Sequence, residues 1–288
     1  MKNFILASRP KTLLAAVLPP LVSFVWVKAN GLEIGWYALC CVISALCIQL
    51  ATNFFNDYLD HEKGADKVRL GPTRVTSSGL VSSKTIRSWA ITSLVIATLF
   101  ALPLIYRGGP VIALMGVVSL YLSYGYTGGP WPLAYKGLGE VFVFLFFGLF
   151  AVLGSYYIYT KTLTLDALIL ASIFGLLSTT LICVNNLRDR VEDMKVNKRT
   201  LATRMDERSY QVLILFTIFI PYLLSFSLTS LNTTWMLVLP FPIGVKLALI
   251  ILREKRERLN LGLKFGGIHL ILFSLTLILL NHYENLFS

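Results

Sequence analysis

Long apolar runs alternate with short polar segments along the whole chain. Nine runs recur, at 12–28, 34–56, 86–106, 109–127, 137–160, 165–187, 209–229, 232–252 and 262–281. Crossing a hydrocarbon core of about 30 Å takes about 20 residues at helical rise, and about 17 at the least. Each run therefore reads as a transmembrane helix, and together they occupy almost the entire sequence. The pattern predicts an all-α, polytopic membrane protein of about nine helices, forming a single domain over 1–288.

Composition agrees, since 56% of the 288 residues are hydrophobic and only 14% are charged, with a mean hydropathy of +0.70. That balance lies far outside the average for soluble domains. The net charge of +11 raises the question of nucleic acid, which the placement of the cations answers. With the N-terminus inside, 22 of the 26 Lys and Arg residues fall in segments on one side. Lys28, Arg107 and Lys161 fall on the other, and Lys246 lies within a helix. A split of that kind is the positive-inside rule, so no nucleic-acid partner is implied. It predicts the inner, cytoplasmic membrane, with the N-terminus in the cytoplasm and the C-terminus outside. Cys40, Cys41, Cys47 and Cys183 lie within helices at spacings that suit no metal, and read as buried thiols. The first run carries Pro19, Pro20 and Trp26 and no clear small-residue cleavage site, so it reads as a retained helix.

The polar residues that a membrane helix should not contain fall in two places. Asn53, Asn56, Asp57 and Asp60 end the second run, and at 100° per residue they share an arc of about 100°. Asn185, Asn186, Asp189 and Asp193 end the sixth run on an arc of the same width. Both helices cross outward to inward, so both patches lie at the cytoplasmic end and face one another across a cavity. Clustered carboxylates at such depth usually line a ligand or water-filled site. The bland alternatives are solvated helix ends and, for Asn53 and Asn185, hydrogen-bonded helix glue.

Two carboxylate faces without nearby His or Cys suit Mg²⁺, a hard cation commonly held by one or two carboxylates and by substrate phosphates. The ligand implied is a diphosphate. Basic segments follow each patch, 63–74 and 195–200, and their Arg and Lys side chains can clamp phosphate oxygens.

Several segments are similar to one known family. Asn56-Asp57-x-x-Asp60 and Asp189-x-x-x-Asp193 resemble the two aspartate-rich motifs of the UbiA-type prenyltransferases. Arg9-Pro10-Lys11-Thr12, Lys63-Gly64-Ala65-Asp66, Gly71-Pro72-x-Arg74-Val75-Thr76, Tyr126-Thr127-Gly128-Gly129-Pro130, Gly137-Leu138-Gly139-Glu140, Asn185-Asn186-Leu187-Arg188-Asp189 and Lys198-Arg199-Thr200 resemble its 1,4-dihydroxy-2-naphthoate branch. The resemblance runs from residue 9 to about 204, and the last three helices add nothing specific to it. Arg190 stands where an apolar residue is expected and Asn197 where Gly or, in other branches, Asp is, departures expected to loosen the local loop.

The resemblance implies helices around a central cavity with a cytoplasmic-side cap, built as two pseudo-repeated halves with motifs at 53–66 and 185–199. It implies transfer of a polyprenyl chain from polyprenyl diphosphate to 1,4-dihydroxy-2-naphthoate, with decarboxylation, giving demethylmenaquinol for menaquinone synthesis. Mg²⁺ would be held by Asp57, Asp60, Asp189 and Asp193, which are also the catalytic set. Asn56, Asp66, Arg74, Asn186, Lys198 and Arg199 would bind substrate, with Arg9 on the acceptor carboxylate and Tyr126 beside the allylic cation. Membrane lipid surrounds it, and no obligate protein partner is called for. The competing expectations are a related acceptor such as 4-hydroxybenzoate, or a secondary transporter, whose paired polar segments usually lie nearer the midplane.

Overall fold

In the computed structural model, residues 2–28, 34–64, 70–71, 74–230 and 232–287 are described, the side chains only as far as 284. A short helix α1 (Lys2–Ser8) meets α2 (Pro10–Lys28) at Arg9, whose left-handed backbone, φ 49°, turns the chain. Pro10 then opens α2, where a missing N–H costs nothing. The long helices that follow are α3 (Gly35–Glu62), α4 (Ser83–Gly108), α5 (Pro110–Gly125) and α6 (Gly139–Thr160). After them come α7 (Leu165–Lys195), α8 (Glu207–Ser225), α9 (Phe241–Arg253) and α10 (Leu259–Phe287). Among the described residues, eight helical segments are long and apolar enough to cross a bilayer, and α5 is a shorter ninth of 16 residues. The all-α, multi-pass expectation holds.

Side-chain caps mark where helices start. Ser82, Thr164 and Asp206 each accept from a backbone N–H three residues on, at 3.2, 3.2 and 3.0 Å, which satisfies donors the first turn leaves open. Inside the bundle, small residues let helices touch. A Cβ on Gly148 of α6 would lie 2.5 Å from the Ala171 carbonyl oxygen of α7, and one on Gly175 would lie 2.6 Å from Phe144. Around that crossing α6 widens into a π-helical stretch, Phe144–Leu153, which no apolar periodicity foretells. The four cysteines are buried and free, as their positions suggested.

Polar side chains also join helices. Asn53 donates to Ser8 O and Thr12 Oγ1 at 2.8 and 2.9 Å, tying α3 to the α1–α2 corner. Tyr222 of α8 and His269 of α10 share a buried hydrogen bond of 2.7 Å. The consequence for function is positional, because the ends of α3 and α7 are held at one end of the bundle, beneath the 126–138 loop.

Candidate active site

The first patch faces the turn that precedes α4. Both oxygens of Asp57, which is 1% exposed, accept backbone N–H groups, from Thr76 at 3.0 Å and Val75 at 3.3 Å. Asp57 thereby fastens the 74–79 turn to α3, and Arg74 rides on that turn. The Arg74 guanidinium donates to Asn56 Oδ1 at 2.7 Å and to Asp60 Oδ2 at 2.8 Å. Tyr135 Oη donates to the other Asp60 oxygen at 3.0 Å. A cation thus already sits on the Asn56–Asp60 pair.

The second patch is organised by Arg188, which is 1% exposed. It forms a fork on Asp189, at 2.7 and 2.6 Å, and donates to Asn185 at 2.8 Å and to Asn260 of α10 at 2.9 Å. Bidentate pairing of this kind fixes orientation as well as charge. Asn260 in turn donates to Leu70 O at 3.0 Å. Gly71 packs on the same guanidinium, where an added Cβ would lie 2.7 Å from Nη2. Asp193 lies 3.4 Å from Lys198 Nζ, and its Oδ2 has no partner among the described residues although Asp193 is only 7% exposed.

One tyrosine spans the two patches. The Tyr135 ring, besides bonding Asp60, lies under Lys63 at 4.5 Å and under Lys198 at 5.7 Å, in cation–π contact. Lys63 also donates to Thr127 O, so α3 is pinned to the cap loop. Burial pulls the Lys63 ammonium below its ordinary pKa, Asp60 works against that, and Lys198 adds to it. Burial pulls on Lys198 as well, but Asp193, Asp60 and Asp189 together outweigh it and hold its pKa above the ordinary value. The patches converge on Tyr135, which bonds Asp60 of the first and lies under Lys198, the neighbour of Asp193 in the second.

The other expected residues fall around this centre. Tyr126 is half-buried, and burial raises its phenol, helped by the charges of Glu140, Asp60 and Asp193. Arg9 is half-buried and acts on the same phenol in the opposite sense. Asn186 donates not to the aspartates of either patch but to Glu140 Oε1, at 2.8 Å. Arg199 is exposed at the rim. Asp66 lies outside the described residues. Arg190 corrects one expectation: it donates to Ala202 O at 2.7 Å and Met205 O at 3.1 Å, so it braces the loop it was expected to loosen. Asn197 takes the left-handed backbone, φ 54°, that Gly would, a conformation Asn tolerates better than most side chains. Tyr135, Arg188, Glu140 and Asn260 complete the site without having been singled out as site residues, and Asn260 brings in a helix that had seemed uninformative.

Among the described residues no three His, Cys, Asp or Glu side chains stand close enough to enclose a metal by themselves. The donors are hard oxygens in ones and twos, with the Asp193 Oδ2 unmet. That set suits Mg²⁺, which keeps waters and takes phosphate oxygens to complete its shell.

An all-helical membrane bundle with two acidic patches meeting under a basic, tyrosine-bridged cap has the architecture of an intramembrane prenyltransferase. The chain belongs to the UbiA prenyltransferase family, whose model matches residues 16–273. It is 35% identical over 224 residues to a 1,4-dihydroxy-2-naphthoate octaprenyltransferase of Mycobacterium leprae (strain TN), covering 75% of this chain and 74% of that one. Its identity to the protein of the same description from Haemophilus influenzae is 32% over 259 residues, 85% of this chain and 83% of the other. Its fold is similar to that of a UbiA homolog from Archaeoglobus fulgidus bound to DMAPP and Mg²⁺, with a TM-score of 0.64 and 15% identity over 96% and 98% of the two chains.

Proposed function

We propose that this protein transfers a polyprenyl chain from an allylic polyprenyl diphosphate to 1,4-dihydroxy-2-naphthoate with loss of CO₂, giving demethylmenaquinol, the precursor of menaquinone. The observation that carries this reading is the convergence of the α3 and α7 patches on Lys198 and Tyr135, in a chain about a third identical to naphthoate octaprenyltransferases.

Asp60 with Asn56, and Asp189 with Asp193, are the groups that would hold Mg²⁺. When bound, the metal neutralises the diphosphate and makes it a better leaving group. Asp57 serves a different purpose in this reading, because both its oxygens are held by backbone N–H groups, of Val75 and Thr76, whereas those of Asp60 and Asp189 are met by side chains, which can turn toward a bound diphosphate. Asp57 positions the turn that carries Arg74. Arg74, Lys63 and Lys198, with Arg199 at the rim, bind the diphosphate, Asp66 would contribute to substrate binding only through a Mg²⁺ ion, and Asn186 orders the second patch from behind. As the prenyl C1–O bond breaks, positive charge develops on the allyl group, and the face of Tyr126 stabilises it. Arg9, at the α1–α2 corner, pairs with the acceptor's carboxylate. The tail lies among the helices or opens to lipid, where burial contributes about 0.8 kcal/mol per CH₂.

The cation split supports a position for these residues on the cytoplasmic side of the inner membrane, where a soluble diphosphate headgroup and an aromatic acid are both accessible. The two motif-bearing halves act as one catalytic domain. Purified protein in lipid, given both substrates, should release one CO₂ per chain transferred. EDTA should stop turnover and Mg²⁺ restore it, and full activity without divalent metal would overturn the assignment of both patches.

A further inference from the structure

The reaction proposed above needs a group that takes a proton from the acceptor, and none of the residues placed so far does so. Glu140 stands at the start of α6, 4% exposed. Its Oε1 accepts two hydrogen bonds, from Tyr210 Oη at 2.6 Å and Asn186 Nδ2 at 2.8 Å. Its Oε2 is buried and has no partner among the described residues. No ion pair links Glu140 to a cation among those residues. A buried carboxylate oxygen without a donor is costly, so a site that keeps one is built for something not yet bound.

Glu140 adjoins the proposed reaction centre through two neighbours, Asn186 of the second patch and Tyr126. Tyr126 Oη lies 3.0 Å from where a Cβ on Gly139 would stand, directly beside Glu140. Beyond burial, the charges of Glu140, Asp60 and Asp193 all raise the Tyr126 phenol, so Glu140 and one carboxylate of each patch act on the same ring. Asn186 belongs to the second patch and is the donor that orients Oε1.

We infer that Glu140 is a catalytic residue whose Oε2 accepts the proton of the acceptor hydroxyl ortho to the carbon that is prenylated. The inference rests on the acceptor class proposed above. The balance is as follows: the ring carbon bonds to the prenyl C1 as the C1–O bond to diphosphate breaks. The ortho hydroxyl gives its proton to Oε2, leaving a ketone next to a carbon that carries both the new chain and the carboxylate. The carboxylate then leaves as CO₂, its bonding pair returns to the ring, and Oε2 returns the proton to the ketone oxygen. No other reactant is consumed. Tyr210 and Asn186 are positioning residues for this carboxylate.

Glu140→Gln should lower kcat by about 100-fold or more, the usual range for a positioned base. Its KM for polyprenyl diphosphate and its half-saturating Mg²⁺ should stay within about twofold of the unaltered protein. The deficit should shrink as pH rises toward ionisation of the acceptor hydroxyl, and should be smaller for a halogenated, more acidic dihydroxynaphthoate. Glu140→Asp, which keeps the carboxylate, should retain more activity than Gln. A loss independent of pH and of ring acidity, or one shared with diphosphate binding, would make Glu140 a packing residue and overturn the inference. If the unaltered protein instead prenylates only 4-hydroxybenzoate, the acceptor reading fails on that result alone, and the pH test of Glu140 is still read on the acceptor that works.

Discussion

Asp57 and Asp60 lie one helical turn apart on α3, yet backbone N–H groups meet Asp57 while the Arg74 and Tyr135 side chains meet Asp60, so Asn at each position should produce different failures. Hydrogen bonds to charged groups contribute about 1.5–3 kcal/mol, and a buried donor left unmet costs about 1–3 kcal/mol. Asp57→Asn keeps one oxygen for Val75 or Thr76 and turns an N–H toward the other, so about 2–3 kcal/mol of hold on the 74–79 turn is lost. At 1.4 kcal/mol per factor of ten, the turn leaves its seat roughly 30- to 150-fold more often, and Arg74 goes with it. The expected result is a higher KM for polyprenyl diphosphate and a lower melting temperature, with half-saturating Mg²⁺ within about twofold of normal. Asp60→Asn, on the proposed reading, removes a metal ligand, and it weakens the partner of Arg74, which is itself 5% exposed. Half-saturating Mg²⁺ should then rise about tenfold or more, and kcat should fall by a similar factor, about 1.4 kcal/mol of transition-state stabilisation. The assay is a Mg²⁺ titration of initial rates beside thermal unfolding in the same detergent. If Asp57→Asn shifts the Mg²⁺ requirement as far as Asp60→Asn while melting is unchanged, Asp57 is a ligand and the reasoning is refuted.

Two further outcomes follow from the geometry. Gly71→Ala places a methyl 2.7 Å from Arg188 Nη2, and that guanidinium is locked by Asp189, Asn185 and Asn260. Overpacking of this kind costs about 1–3 kcal/mol, so activity should fall about tenfold or more, and an unaffected rate would show that Arg188 is free to move. A reporter active only in the cytoplasm, fused after Ser288, should stay silent, and a signal from it would reverse the orientation drawn from the charge split.

The membrane character of the chain was legible because nine apolar runs need only length and hydropathy to be seen. The two acidic faces were legible for a similar reason: helical period alone puts Asp57 with Asp60 and Asp189 with Asp193. What local sequence could not reveal is which of those carboxylates are already occupied. The donors to Asp57 come from 18 and 19 residues further on, Tyr135 reaches Asp60 across 75 residues, and Asn260 reaches Arg188 across 72. Glu140 looked like an ordinary residue at a helix start until Tyr210 and Asn186 were found beside it. The π-helical stretch of α6 was hidden too, because it surrounds the crossing of Gly148 with Ala171 and Gly175, a contact set by α7. The signal that could have found Arg188 is its own position, a cation in a helix between two acidic or amide residues, where a membrane protein keeps a charge only if it is paired.

The central claim is the identity of the acceptor and the fate of its carboxyl group. Purified protein in lipid vesicles, with Mg²⁺ and one polyprenyl diphosphate, is given carboxyl-labelled 1,4-dihydroxy-2-naphthoate in one arm and carboxyl-labelled 4-hydroxybenzoate in the other, and both labelled CO₂ and prenylated product are counted. The account predicts product in the naphthoate arm with one labelled CO₂ per chain, and essentially none in the other. Prenylated naphthoate that keeps its label, or faster transfer to 4-hydroxybenzoate, would contradict it.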